Sequence, residues 1–211
     1  MLTGNRIWKV RLVDVGTAAG KTVEAHALTG VLVRGSGIKK DLRILGYGCP
    51  IELGFDVVTG VKGDCLDRYL VRLNECLEST RIIQQCMKSL KVFTVLHNYR
   101  ETISNLHDRK VGTPDKYEFG TNMESMIHYF KLVTEGCTLP KGRTYVRQEA
   151  PKGELGLYIV SDNANKPHRV KTRSPDYYNS QALNLIAHNH LLADLIAILG
   201  TVDPVLGSVD R

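Results

Sequence analysis

The chain reads as a mainly helical α+β protein, on three observations. Apolar residues spaced by three and four run from Asp64 to Leu90; a second stripe of that period starts at Thr121; and short strand-like runs surround a polar turn between Thr144 and Lys171. The 211 residues are 43% hydrophobic and 24% charged, the balance of a globular protein. That length suits one domain or one lobe of a larger one.

Taken in order, Arg6 to Val15 mixes Ile7, Trp8, Val10, Leu12 and Val13 with charges, which predicts a short extended element. Gly30 to Gly37 is an apolar run ending in a glycine-rich turn, and the glycines and proline from Gly46 to Gly63 predict an irregular loop. The stripe from Asp64 to Leu90 predicts a helix of about 40 Å. Its apolar face carries Leu66, Leu70, Leu73 and Leu77, and its polar face carries Asp67, Arg68, Arg72, Asn74, Glu75 and Glu78. Acidic groups at its start suit the helix dipole. A helix so long needs an apolar partner larger than this chain readily supplies.

Thr121 and Glu124 form a capping box for a second helix with Met123, Met126, Ile127 and Phe130 on one face, ending at Gly136. Strand-like pieces follow at Thr144–Val146, Gly156–Ser161 and His168–Lys171, the last two joined by the turn at Asp162 to Asn165. A final helix is expected from Ser180 to Leu199, stopped by Gly200, with a tail from Thr201 to Arg211. The segment Ala182 to Gly200 holds too many polar residues for a lipid-facing span.

Net charge +6 is spread along the chain without aromatic interleaving, so it suits acidic protein partners rather than nucleic acid. The five cysteines, Cys49, Cys65, Cys76, Cys86 and Cys137, lack metal-ligand or disulfide spacing, and most of them read as small buried apolar residues in a reducing compartment. The start, Met1 to Asn5, shows neither a targeting helix nor a signal-peptide core. GVLVRGSG lacks the Lys-Ser/Thr of a phosphate loop, so no nucleotide is expected here. His188 and His190 are two apart and point away from each other on a helix, which excludes joint chelation. His128 is expected to be a hydrogen-bonding residue of the core or of an interface.

Eight collinear blocks carry a family resemblance: NRIW (Asn5 to Trp8), GVLVRGSGI (Gly30 to Ile38), DLR (Asp41 to Arg43), GDCLDRYLVR (Gly63 to Arg72), RIIQQC (Arg81 to Cys86), MESMIHYFKLVTEG (Met123 to Gly136), EAPKGELGLYIVSD (Glu149 to Asp162) and HLLADLIAILGTVDPVLGSVDR (His190 to Arg211). Together they resemble the C-terminal half of the 49 kDa subunit family of respiratory complex I, itself similar to the large subunit of nickel–iron hydrogenases. The resemblance implies a part of a hydrogenase-large-subunit-like fold, with residues 1–211 completed by a separate N-terminal half. It also places Met1 near the family's midpoint, which fits a split gene better than a shortened piece. The chain departs from the family pattern over Lys91 to Gly120, at Lys40, and at Ser174 to Tyr178.

What the resemblance implies about function is specific. The chain would help form the quinone cavity of a proton-pumping NADH:ubiquinone oxidoreductase, with no complete catalytic site and no cofactor or metal of its own. Where hydrogenases carry Asp-Pro-Cys-x-x-Cys, this chain has Asp203, Pro204, Val205, Leu206, Gly207 and Ser208, so both thiolate positions lack a metal donor. Val205 and Leu206 would line an apolar hole for the quinone, with Ala150, Pro151 and Lys152 as further cavity candidates. An alternative for Glu149 to Gly153 is a tight turn fixed by Pro151 and Gly153. Asp203 would tune the quinone's proton chemistry, its charge disfavoured in an apolar cavity unless a cation or backbone donor offsets this; the alternative is a turn or helix-cap carboxylate. Implied partners are the N-terminal half, the neighbouring subunit that holds the terminal 4Fe-4S cluster, other peripheral-arm subunits and the membrane subunit at the quinone entrance. The implied location is the matrix side of the mitochondrial inner membrane. Two rival readings are a hydrogenase-related enzyme, disfavoured by the absent thiols, and a structural scaffold without a direct catalytic role.

Overall fold

The computed structural model describes residues 2–46, 53–96, 112–114 and 116–210. They form a mainly helical fold with one three-stranded antiparallel sheet. In order, the elements are α1 (Arg6–Leu12), α2 (Gly20–Ala25), α3 (Val31–Gly35), α4 (Cys65–Leu96), α5 (Lys116–Thr121), α6 (Met123–Thr134), β1 (Gly142–Ala150), β2 (Gly153–Ser161), β3 (Arg169–Arg173), α7 (Pro175–Gln181), α8 (Leu183–Ile186), α9 (Leu192–Val202) and α10 (Leu206–Val209). The sheet order is β1-β2-β3. The chain divides into two compact units, one of Met1–Gln85, Val146–Leu157 and Thr172–Arg211, the other of Cys86–Tyr145 and Tyr158–Lys171.

The first unit holds the core: Leu12, Val23, Leu28, Leu32, Val33, Cys65, Ala182, Ile186, Ile198 and Val202, with Trp8 and Leu66 packed against it. Its first element is a helix, not the extended piece expected. Asn5 Oδ1 accepts the Ile7 N–H at 2.9 Å and starts the helix. Trp8 and Leu12, four apart, then turn inward while Ile7 and Val10 face out. The apolar run after Gly30 is likewise a short buried helix, α3, before its glycine turn.

Helix α4 is longer than its sequence stripe, 32 residues and about 48 Å. Asp64 Oδ1 accepts the Asp67 N–H at 2.8 Å and Asp64 Oδ2 accepts the Asp14 N–H at 3.0 Å, so the buried carboxylate caps the helix and ties it to the first loop. Asp67 Oδ2 in turn accepts N–H groups of Val61, Lys62 and Gly63. Two expectations change here. Arg68, placed by periodicity on the polar face, is 1% exposed, while Leu73, Leu77, Ile83 and Met87 of the apolar stripe are exposed. Arg68 Nη1 donates to the carbonyls of Gly16 (2.9 Å) and Gly63 (2.8 Å), and Nη2 to Cys65 Sγ (3.1 Å) and Thr201 Oγ1 (3.3 Å). Burial pushes its pKa down, an effect that Cys65, Asp64 and Asp67 partly oppose.

The expected helix from Ser180 to Leu199 is three helices. Pro175 opens α7 at its first turn. Asn189 adopts left-handed geometry (φ 63°) and breaks the run, after which Asp194 Oδ2 accepts the Leu191 N–H at 3.2 Å to start α9. α9 then passes through Gly200 and ends at Asp203, which is left-handed (φ 54°) and donates its N–H to Leu199 O at 2.9 Å. His190 Nε2 accepts the Gly16 N–H at 3.2 Å, while His188 is exposed.

In the second unit α5 packs on α6. The cap of α6 is Asn122, whose Oδ1 accepts the Glu124 N–H at 3.1 Å; Thr121 instead ends α5. Asn165 Nδ2 donates to Glu135 O at 2.6 Å and holds the β2–β3 turn, within which Asn163 is left-handed. Met123, Met126, Ile127 and Phe130 are exposed, and His128 Nε2 is buried with no hydrogen-bond partner among the described residues. Of the described cysteines only Cys65 is buried; Cys76 is exposed, and Cys86 and Cys137 are half-buried. Cys49 lies outside the described residues.

Asp41 is fully enclosed beside Arg43, whose Nε and Nη2 donate to it at 3.0 and 2.7 Å. Burial pushes the carboxyl pKa up, but the Arg43 hydrogen bonds and the Arg43 and Arg34 charges outweigh it and hold it below the usual carboxylate range.

The Arg68 and Asp41 contacts each have a measurable consequence for stability. Arg68→Met leaves the Gly16 and Gly63 carbonyls without donors and is expected to destabilise by about 3 kcal/mol or more, read as a lowered unfolding midpoint. Because the Asp41 pKa is depressed on folding, its contribution is present above the ordinary carboxyl range and fades as pH falls through the lower folded value. The stability gap between the native chain and Asp41→Asn should therefore stay constant from neutral pH to about 5 and close below about 4. A gap that widens in acid would contradict this.

Candidate functional site

Two glycines set the site's geometry. Gly30 has φ 75° and ψ −141°, and a Cβ there would lie 2.4 Å from the Lys152 carbonyl oxygen. Gly153 has φ 137°, and its Cβ would meet Thr29 Oγ1 at 2.5 Å. Only backbones without side chains approach so closely, so the loop leading into α3 lies directly against the turn at Pro151 and Lys152 that joins β1 to β2. Asn179 of α7, 4% exposed, stitches the two: Oδ1 accepts the Thr29 N–H and Nδ2 donates to the Thr29 and Lys152 carbonyls, each at 3.4 Å.

Next to this seam Arg34, 4% exposed, joins three elements. Its Nε donates to Glu75 Oε1 of α4 at 2.6 Å and its Nη1 to Glu149 Oε1 of β1 at 2.9 Å. Glu149 Oε2 accepts the Leu42 N–H at 3.3 Å. Burial pushes the Arg34 pKa down, yet Glu75, Glu149 and Asp41 outweigh this and raise it, so the guanidinium stays charged. Beneath the β1–β2 turn, Glu154 is buried and bonded by Arg173 Nη1 at 3.0 Å.

These contacts wall a cavity of about 500 Å³ lined by Val31, Leu32 and Val202 on the apolar side and by Arg34, Arg43, Arg72, Lys152, Glu75, Glu149 and Asp203 on the charged side. Four of the six residues singled out from sequence meet here: Ala150, Pro151, Lys152 and Asp203. Lys152 Nζ forms an ion pair with Asp203 Oδ2. Asp203 is thus a helix-end residue and a cavity residue at once, 53% exposed, with a cation facing its charge. Val205 and Leu206 are outside this lining, 45% and 71% exposed, and the cavity is more charged than the apolar hole expected. Ser208 Oγ lies 2.6 Å from Ser174 Oγ.

Sequence reading missed Arg34, Glu75 and Arg72 as site residues. Arg34 was visible as a charge inside the apolar run GVLVRGSG, a position where a cation is buried only with partners. Arg72 lines the cavity from α4. Burial lowers its pKa; the nearby Asp203 charge opposes this, Arg68 adds to it, and Arg72 forms no hydrogen bond or ion pair among the described residues. No group of three His, Cys, Asp or Glu among the described residues is arranged to hold a metal ion, and no helix there is long and apolar enough to cross a membrane.

Comparison with known proteins supplies the family. Residues 1–211 match the family described as Respiratory-chain NADH dehydrogenase, 49 Kd subunit. The NADH-ubiquinone oxidoreductase 49 kDa subunit of Reclinomonas americana is 42% identical over 212 aligned residues, covering 100% of this chain and 51% of that protein. The corresponding NADH-quinone oxidoreductase subunits of Burkholderia mallei and Alkalilimnicola ehrlichii are each 47% identical, covering 100% of this chain and 49% of theirs. The chain therefore spans about half the length of these relatives. Matched along its whole length, it belongs to the family of the 49 kDa subunit of respiratory-chain NADH dehydrogenase, an oxidoreductase complex.

Proposed function

We propose that this chain forms one wall of the quinone cavity in a proton-pumping NADH:ubiquinone oxidoreductase. The observation that carries this is the Lys152–Asp203 ion pair on the cavity that Ala150 and Pro151 also line. Quinone reduction takes two electrons and two protons. The electrons come from a 4Fe-4S cluster held by a neighbouring subunit, so this chain's task is to place donors and charges around the quinone oxygen.

Lys152 suits that task. Its ammonium donates a hydrogen bond to a carbonyl oxygen and favours negative charge developing there. Asp203 holds the ammonium in place and accepts a proton-relay bond on its other oxygen. The Arg34–Glu75–Glu149 cluster behind them fixes the β1–β2 turn and so the position of Lys152. Val31, Leu32 and Val202 give the quinone ring an apolar surface. Val205 and Leu206, exposed in this chain, reach the cavity only if another chain folds the tail inward. The complex completes the site with the N-terminal half of the subunit, other peripheral-arm subunits and the membrane subunit at the quinone entrance, on the matrix side of the mitochondrial inner membrane.

The test is Asp203→Asn in the assembled complex. The quinone reductase rate is expected to fall by about tenfold to a hundredfold, while NADH oxidation by ferricyanide, which needs no quinone, stays unchanged. Unchanged quinone rate and KM would remove Asp203 from the site and favour a scaffold role.

A further inference from the structure

We propose that Arg72 is the donor that meets negative charge on the quinone: its guanidinium binds the ring oxygen that becomes an oxyanion once an electron has arrived. The inference rests on the quinone reading above and assigns a role within it that Lys152 and Asp203 do not fill.

Arg72 belongs to the stretch of α4 that faces the cavity. Arg72, Glu75, Cys76 and Ser79 all line it, and their spacings of three and four place them on one helical face. That face is held on both sides of Arg72. One turn earlier, Arg68 is fixed by the Gly16 and Gly63 carbonyls; three residues later, Glu75 Oε1 accepts from Arg34 Nε at 2.6 Å. The helix therefore presents the Arg72 side chain to the cavity from a fixed backbone, across from the apolar Val31 and Leu32.

The other cations on the cavity are already engaged. Arg34 donates to Glu75 and Glu149, Arg43 donates to Asp41, and Lys152 pairs with Asp203. Arg72 is half-buried, with five N–H donors and no acceptor among the described residues. The carboxylates that act on it, Asp203 and Glu75, are those that Lys152 and Arg34 hold. Burial lowers the Arg72 pKa; Asp203 and Glu75 oppose this, while Arg68 and Arg34 add to it. An anion in the cavity supplies both the missing acceptor and the missing charge.

Quinone reduction produces such an anion. Two electrons and two protons convert two carbonyls into two hydroxyls, and the 4Fe-4S cluster delivers its electrons singly. The first electron thus leaves a radical anion before its proton arrives. A guanidinium keeps its proton, so Arg72 stabilises this charge and transfers nothing. Both protons come from water by way of the Lys152–Asp203 pair and form the two O–H bonds. Because the Arg72 contact is stronger with the anion than with the neutral quinone, it raises kcat rather than tightening substrate binding.

The experiment uses the assembled complex that contains the chain. Arg72→Gln removes the charge and is expected to lower the quinone reductase kcat about a hundredfold, with KM within about twofold of native. Arg72→Lys should recover part of that loss, and NADH oxidation by ferricyanide should be unchanged in both variants. The second readout is competition against quinone by lawsone, a hydroxynaphthoquinone that is an anion at neutral pH, and by its neutral methyl ether. The native complex is expected to bind the anion about tenfold more tightly than the ether, and Arg72→Gln to bind the two alike. A native complex that binds both equally overturns the proposal without recourse to any variant. So does an Arg72→Gln complex that keeps the native kcat, raises KM alone, or retains the preference for the anion. A silent Arg72→Gln beside a slowed Asp203→Asn sinks this inference and spares the quinone reading, whereas silence in both sinks the two together.

Discussion

A guanidinium that is 1% exposed must satisfy its N–H groups inside the protein, and Arg68 does so on three separate stretches of chain. The Gly16 carbonyl belongs to the loop after α1, Gly63 and Cys65 to the start of α4, and Thr201 to the end of α9. One side chain thereby fixes where α4 begins and where α9 ends. Gly16 shows how tight the fit is: a Cβ there would fall 2.7 Å from Ile198 and 3.1 Å from Arg68 itself. The position of Asp203, two residues past Thr201, is inherited from this node.

The cavity adds a second constraint to the first. Arg34 binds Glu75 of the same helix α4 and Glu149 of β1, so a helix already positioned by Arg68 positions the β1–β2 turn in its turn. Gly30 and Gly153 let that turn close on the loop before α3. Lys152 and Asp203 meet because one is carried by the Arg34-held turn and the other by the Arg68-held helix end. Partly buried charge networks of this kind rarely increase stability over an apolar core; what they supply here is a definite arrangement of donors around a cavity.

Much of this was legible in the residues. Periodicity located α4 and α6, the Asp-Asn-Ala-Asn turn placed β2 against β3, and four of six site candidates share one cavity. What was not legible was decided by contacts between distant residues or by single side-chain caps. Arg68 and Glu75 share a turn-facing pattern with solvent charges, and only their bonds to Gly16 and Arg34, far away in sequence, distinguish them. α1 read as extended because its apolar residues fit both periods, although Asn5 held the cap signal. The last helix read as continuous because Asn189 and Asp194 look like ordinary helix positions until one turns left-handed and the other caps. Val205 and Leu206 were named by homology of position, and their exposure depends on what else folds over the tail.

The most direct measurement of the central claim is photoaffinity labelling of the assembled complex with an azido-quinone, with labelled peptides mapped by mass spectrometry. Label on residues 149–153 or on 202–204, competed away by excess quinone, is the result expected. Competable label found only on other chains, with both of these stretches unmarked, would contradict a quinone cavity built on Lys152 and Asp203.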